Sequence, residues 1–138
     1  MKFTRKANAN WKGTGKEGTG TLTTDSTVLK DSQYSFSTRF ENGVGINPEE
    51  LIGAAHSGCF TMQLSFLLDE KGFTDKDLST EAKVNFEDGS VTSIHLDLVG
   101  SVKGLDQSTF EEIANNAKEI CPISKLLNAD ITLSATLK

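Results

Sequence analysis

Two cysteines are the residues of this chain best suited to chemistry: Cys59 in AAHSGCF and Cys121 in EICPIS. Each is expected on the apolar face of its own helix, about sixty residues apart. FSTRFE supplies Arg39, the only arginine besides Arg5, and NPEE supplies carboxylates around Glu49. Two thiols, one cation and a carboxylate are the inventory of a thiol peroxidase. A nucleophilic thiol must ionise near neutral pH, and a free one titrates at about 8.5. The helix dipole fades within the first turn, and Cys59 is expected about three turns in. A cation is therefore required. Arg39 is the candidate, because a guanidinium does not deprotonate and its fork can also hold a carboxylate.

Plainer readings stand beside this one. A free cysteine behaves as a small buried hydrophobe, and an arginine on a strand is commonly a surface residue. Packed helices lie about 8–10 Å apart, whereas a disulfide needs Cα atoms about 4.4–6.8 Å apart. A close crossing, kinked at Pro122, satisfies both. His56, Cys59, His95 and Cys121 contain the donor types of a zinc site, but their spacing matches no compact zinc pattern. His95 alternates with Ile94 and Leu96 and is expected to face solvent. His56 is expected on a helix, satisfied by a backbone or side-chain partner.

The elements that position these residues follow from periodicity. Tyr34, Phe36, Thr38 and Phe40 alternate with Gln33, Ser35, Ser37 and Arg39, which predicts a strand with Arg39 on its small-polar face. GTGKEGTG before it reads as a turn, and Asn42-Gly43 closes the strand. Asn47-Pro48-Glu49-Glu50 predicts a helix start, with cap, first-turn proline and first-turn acids in order. That helix is expected to run to Lys71-Gly72. Its middle is apolar nearly all round, so it is expected to pack partly against a second subunit. Gly53 and Gly58 fit close backbone approach. Leu78, Ala82, Val84 and Phe86, then Asp88-Gly89, then Ile94, Leu96 and Leu98 predict a hairpin. Ser108 with Glu111 predicts a capping box. Phe110, Ile113, Ala114, Ala117 and Cys121 place the second thiol on a buried stripe, and Pro122 breaks the helix. Ile131, Leu133, Ala135 and Leu137 form a last strand. The fold class is α+β with mostly antiparallel pairing.

Helix geometry adds a constraint. Ten residues at 1.5 Å rise separate Glu49 from Cys59 by about 15 Å along the axis. If both serve one site, either the helix starts later than expected or the site is shared across a dimer.

At 138 residues the chain reads as one domain, 1–138. Its net charge of −5 is dispersed, and only the first dozen residues lean basic, which disfavours a nucleic-acid binder. MKFTRKANAN lacks a signal-peptide core, and no run approaches the eighteen or so apolar residues of a membrane span. These features point to the cytoplasm, with no membrane partner. There a thiol pair is catalytic or buried rather than a structural staple.

TRFENGVGINPEELIGAAHSGCF and AKEICPISKLLNADITL together resemble the OsmC branch of the OsmC/Ohr superfamily. The resemblance covers essentially the whole chain from Trp11 to the final strand. It implies an intertwined homodimer, with mostly antiparallel sheets wrapped around two central cysteine-bearing helices per subunit. It also implies a thiol-dependent peroxidase acting on organic hydroperoxides. By position, Cys59 matches the peroxidatic cysteine, Cys121 the resolving cysteine, Arg39 the activating arginine and Glu49 its bidentate carboxylate partner, with Glu50 held in reserve. The glycine-rich segment lacks the arginine of the Ohr branch. No metal, flavin or haem is implied; the resemblance implies an external dithiol of lipoyl type as the reductant. Phe36, Phe60 and Met62 are candidate pocket residues favouring alkyl peroxides. The alternatives are a non-catalytic dimer binding an apolar or acyl ligand, and a protein dithiol oxidoreductase. The absence of C-x-x-C weakens the latter.

Overall fold

A computed structural model describes all residues, Met1–Lys138. The chain divides into two compact units, Met1–Leu51 and Ile52–Lys138.

The first unit is a three-stranded antiparallel sheet in the order β1 (Ala7–Lys12), β2 (Thr19–Thr24), β3 (Ser32–Ser35), followed by a short helix α1 (Phe36–Phe40). The strand expected through Phe40 thus ends at Ser35. Ser35 caps α1: its hydroxyl accepts from the Thr38 N–H at 3.3 Å, and its own N–H donates to Thr38 Oγ1 at 2.9 Å. The reciprocal cap closes a helical turn where the alternation of aromatic residues suggested extension. Arg39 accordingly lies in the last turn of a helix, not on a strand face. This unit contains no fully buried large apolar side chain, and Phe3, Val28, Phe40 and Val44 are all exposed.

Helix α2 (Pro48–Glu70) begins as expected, with Asn47 Oδ1 accepting from the Glu50 N–H at 2.8 Å. It ends at Gly72, whose φ of 87° is open to glycine at no steric cost. The Gly72 N–H bonds to Asp69 O and the Phe73 N–H to Leu68 O, which close the last turn.

In the second unit, β4 (Lys76–Glu87) and β5 (Ser90–Val102) form an antiparallel hairpin. Asp88 and Gly89 both have positive φ, as a tight two-residue turn requires. β6 (Asp130–Leu137) joins β5 in parallel. Phe60, Leu64 and Leu68 of α2 meet Ile94, Leu96 and Leu98 of β5 in one core, all fully buried. Each such side chain is worth about 1.5–3 kcal/mol of burial.

Helix α3 (Gln107–Ile120) lays Phe110, Ile113, Ala114 and Ala117 into the same core. Its cap is Asp106, whose carboxylate accepts from the Thr109 N–H at 2.9 Å. Ser108, expected as the cap, is therefore already inside the helix. Phe110 seats on Gly100, where a Cβ would come within 2.5 Å of its ring. Cys121 ends α3, and Pro122 opens a second short helix, α4 (Pro122–Leu126).

Two expectations about α2 change: the absence of a span-length apolar run, and close backbone approach at Gly53 and Gly58. Its buried stripe is Gly53, His56, Phe60, Leu64 and Leu68, while Met62 and Phe66 stand 58% and 56% exposed. The apolar residues thus occupy two faces, of which this chain covers one. By length and composition α2 is also apolar enough to cross a membrane, with a mean hydropathy of 1.3. The small residues and hydroxyls that interrupt its sequence do not bring it below that level. Gly53 meets Val84 at ordinary contact, and Gly58 has open space beside it, so neither shows a forced backbone approach.

Candidate active site

Cys59 lies in the middle of α2, half-buried, and Cys121 is fully buried at the junction of α3 and α4. The two thiols are 3.2 Å apart and reduced. They meet because the α2 stripe and the α3 stripe share one core, and because the break at Pro122 turns the chain immediately after Cys121.

The surroundings of Cys59 disfavour its anion. Burial pushes its thiol pKa up, an N–H from Ile123 pulls it down, and the Cys121 thiol adds to the rise. The net direction is upward. Apolar neighbours cannot replace the hydration a thiolate loses. On its own, this pair is arranged for sulfur–sulfur bonding more than for ionisation.

Arg39 and Glu49 form the other pair, within the first unit. Arg39 Nε and Nη2 donate to Glu49 Oε1 at 2.9 and 2.6 Å. Both donors converge on one oxygen, so the contact differs from the fork-to-fork pairing expected for this arginine. Glu49 Oε2 is buried without a hydrogen-bond partner. The Arg39 side chain is 38% exposed and Glu49 16%. The guanidinium also lies over the Phe40 ring, 5.0 Å from its centre. Glu50 is exposed, and its backbone N–H caps to Asn47. The carboxylate on Arg39 is therefore that of Glu49.

The four expected residues thus stand as two pairs, one of thiols and one of opposite charges. The candidate pocket residues fare unevenly: Phe60 is fully buried in the core and cannot line an open pocket, while Met62 is exposed. Phe36 packs on Phe40 with ring centres 4.9 Å apart. Along one side of α2, Ser57, Gly58, Thr61 and Met62 face Thr74, Lys76, Leu78 and Thr80 across a cavity of about 680 Å³. Thr61 bridges it, donating to Thr80 Oγ1 at 2.7 Å.

The histidines separate. His95 lies on the sheet face away from the core, between the hydroxyls of Thr132 at 2.7 Å and Ser134 at 3.1 Å. His56 is fully buried, with Nε2 2.8 Å from Ser124 Oγ and Nδ1 without a partner. Burial holds its pKa below the ordinary value of 6.5. Sequence spacing gave no signal for the contact with Ser124, which joins elements 68 residues apart.

Residues 40–136 match the family described as OsmC-like protein. The chain is 46% identical to peroxiredoxin OsmC of Escherichia coli, over all of this chain and 99% of that protein. It is 30% identical to the organic hydroperoxide resistance protein OhrB of Bacillus subtilis, over 86% of this chain and 89% of that one. The crystal structure of that OhrB superposes with a TM-score of 0.67, covering 99% of this chain and 98% of the other. A putative redox protein from Lactobacillus casei, 21% identical, shares the fold with a TM-score of 0.69, covering 99% and 92% of the two chains. This chain belongs to the OsmC family.

Proposed function

We propose that this protein reduces organic hydroperoxides to alcohols through Cys59 and Cys121. Its membership of the OsmC family makes it a peroxide-acting oxidoreductase, an antioxidant enzyme of the stress response. The observation that carries the cysteine mechanism is the approach of the two thiols to 3.2 Å in the core of the second unit.

The Cys59 thiolate attacks one oxygen of the O–O bond. The alkoxide leaves and takes a proton to become the alcohol, and sulfenic acid remains on Cys59. The Cys121 thiol then displaces the sulfenic hydroxyl. A disulfide forms, and the hydroxyl leaves with the thiol proton as water. An external dithiol, of lipoyl type in this reading, reduces the disulfide by exchange and is itself oxidised to a disulfide. The residues named need no resident metal, flavin or haem.

Arg39 serves as the fixed cation that stabilises the thiolate and the charge developing on oxygen, held in place by Glu49. The upward shift at Cys59 supports this need, since neither thiol supplies positive charge. Helix α2 starts at Pro48, so about 15 Å of axial rise separates Glu49 from Cys59 on one chain. That spacing favours a homodimer in which one subunit's ion pair serves the other's thiols. The exposed apolar stripe through Met62 and Phe66, and a first unit with no large buried apolar side chain, support the same dimer. We read the 138 residues as one functional OsmC-like domain working in the cytoplasm, without nucleic-acid or membrane partners.

The test is consumption of tert-butyl hydroperoxide by the purified protein with dihydrolipoamide, hydrogen peroxide run alongside. Turnover favouring the alkyl peroxide is expected. Absence of turnover with both thiols confirmed reduced contradicts the reading and favours a non-catalytic dimer holding an apolar ligand.

A further inference from the structure

The reaction just described leaves one buried titratable group unused. His56 precedes Cys59 by one turn of α2 and lies on the stripe that faces the core. Its ring is fully buried, and Nε2 reaches Ser124 Oγ at 2.8 Å. Ser124 belongs to α4, three residues beyond Cys121. Desolvation keeps the ring neutral. With Nδ1 unpartnered, the tautomer that leaves a bare lone pair inside rather than an orphaned N–H has Nε2–H donating to Ser124. A leucine at this position would fill similar space and leave no nitrogen unmet.

The cost has a local return. The five-residue α4 has no fully buried side chain, and Cys121 offers it no side-chain cap. What docks this turn onto its neighbours is the half-buried packing of Ile123 and Leu127, the Ile123 N–H at Cys59, and the His56–Ser124 bond. The bond ties the segment that carries Cys121 to the helix that carries Cys59, one turn from the sulfur.

We infer that the His56–Ser124 hydrogen bond is a tether that presents Cys121 to oxidised Cys59, so that His56 is a positioning residue for disulfide formation and not for peroxide attack. The inference rests on the peroxidase reading above. Sulfenic acid formation places an oxygen on Cys59, and the sulfurs must then close from 3.2 Å to the bonded distance of about 2.05 Å. A tethered α4 keeps the attacking sulfur near its target while the oxygen is accommodated. An untethered α4 samples orientations from which no bond forms, and the exposed sulfenic acid then meets a second peroxide and becomes sulfinic acid.

The experiment compares the full chain with Ser124→Ala and His56→Gln. Each reduced protein receives a pulse of tert-butyl hydroperoxide, and Cys59 sulfenic acid and Cys59–Cys121 disulfide are followed separately by trapping and mass spectrometry. In Ser124→Ala, a half-buried change that leaves the core residues in place, sulfenic acid is expected at the native rate. Disulfide is expected several-fold to about ten-fold slower, the range one lost hydrogen bond supports, with more sulfinic acid under excess peroxide. His56→Gln, which can still donate an amide N–H toward Ser124, is expected to recover part of the native rate. Disulfide formation at the native rate in Ser124→Ala overturns the tether, as does equal slowing of both steps. A native chain that forms neither Cys59 sulfenic acid nor the Cys59–Cys121 disulfide overturns the peroxidase reading itself, and the tether with it.

Discussion

The thiol pair and the ion pair of this molecule are built on opposite principles. Half-buried Cys59 meets fully buried Cys121 against the apolar core, and burial raises the Cys59 pKa. Arg39 and Glu49 meet where the guanidinium is still 38% exposed, and two N–H groups crowd one carboxylate oxygen. The first setting favours a neutral bond between sulfurs. The second maintains a permanent cation. A thiol peroxidase needs both properties in sequence, a charged nucleophile and then a neutral disulfide. Neither pair supplies both, which is the physical reason to assign them different steps.

The sharpest way to break this division of labour is to remove one sulfur. Cys121→Ser should react rapidly with one equivalent of peroxide and then fail to turn over, because the sulfenic acid has no neighbouring thiol to condense with and passes only slowly to sulfinic acid under excess peroxide. Continued turnover with a dithiol would show that the 3.2 Å approach is incidental. A smaller effect is expected from the ion pair. Arg39→Ala should slow the peroxide step by about a hundred- to a thousand-fold, the range for losing one fixed electrostatic donor. It should leave the rate of disulfide formation unchanged. Single-turnover kinetics separate the two; an unchanged peroxide step would return Arg39 to the role of a surface ion pair. Glu49→Gln should fall between native and Arg39→Ala, since it frees the guanidinium without discharging it.

The resemblance that joined Arg39, Glu49, Cys59 and Cys121 rested on motifs, and physical reading of the chain alone reached them unevenly. Asp88-Gly89, Asn47-Pro48, Gly72 and Pro122 are local devices, and each acts within a few residues of itself, so each is legible in sequence. Ser35–Thr38 is local too, yet the alternation of Tyr34, Phe36, Thr38 and Phe40 masked it. A reciprocal cap outweighs a period-two pattern only four residues long on each face. Asp106 and Ser108 are both competent caps two residues apart, and the carboxylate wins by also binding the Thr109 hydroxyl at 2.8 Å. What the sequence leaves out is contact between distant elements. His56–Ser124 spans 68 residues, and no spacing in the chain marks it.

A still smaller effect is expected from His56. His56 titrates below 6.5 when folded because burial opposes its charge. A depressed folded pKa means stability is fully present above pH 6.5 and is lost as pH falls through the folded value, since only the unfolded chain gains that proton. The melting temperature should therefore hold level above pH 6.5 and decline below it. In His56→Gln the decline should be delayed until carboxylates protonate, near pH 4. An identical pH profile in the variant would remove His56 as the source.

The most direct test of the central claim is peptide mass mapping of the native protein after one equivalent of alkyl hydroperoxide, without reductant. The expected product is a chain lighter by two hydrogens, with the peptides carrying Cys59 and Cys121 joined by a disulfide within a single subunit. Oxidation confined to one cysteine, or a disulfide joining two chains, would contradict it.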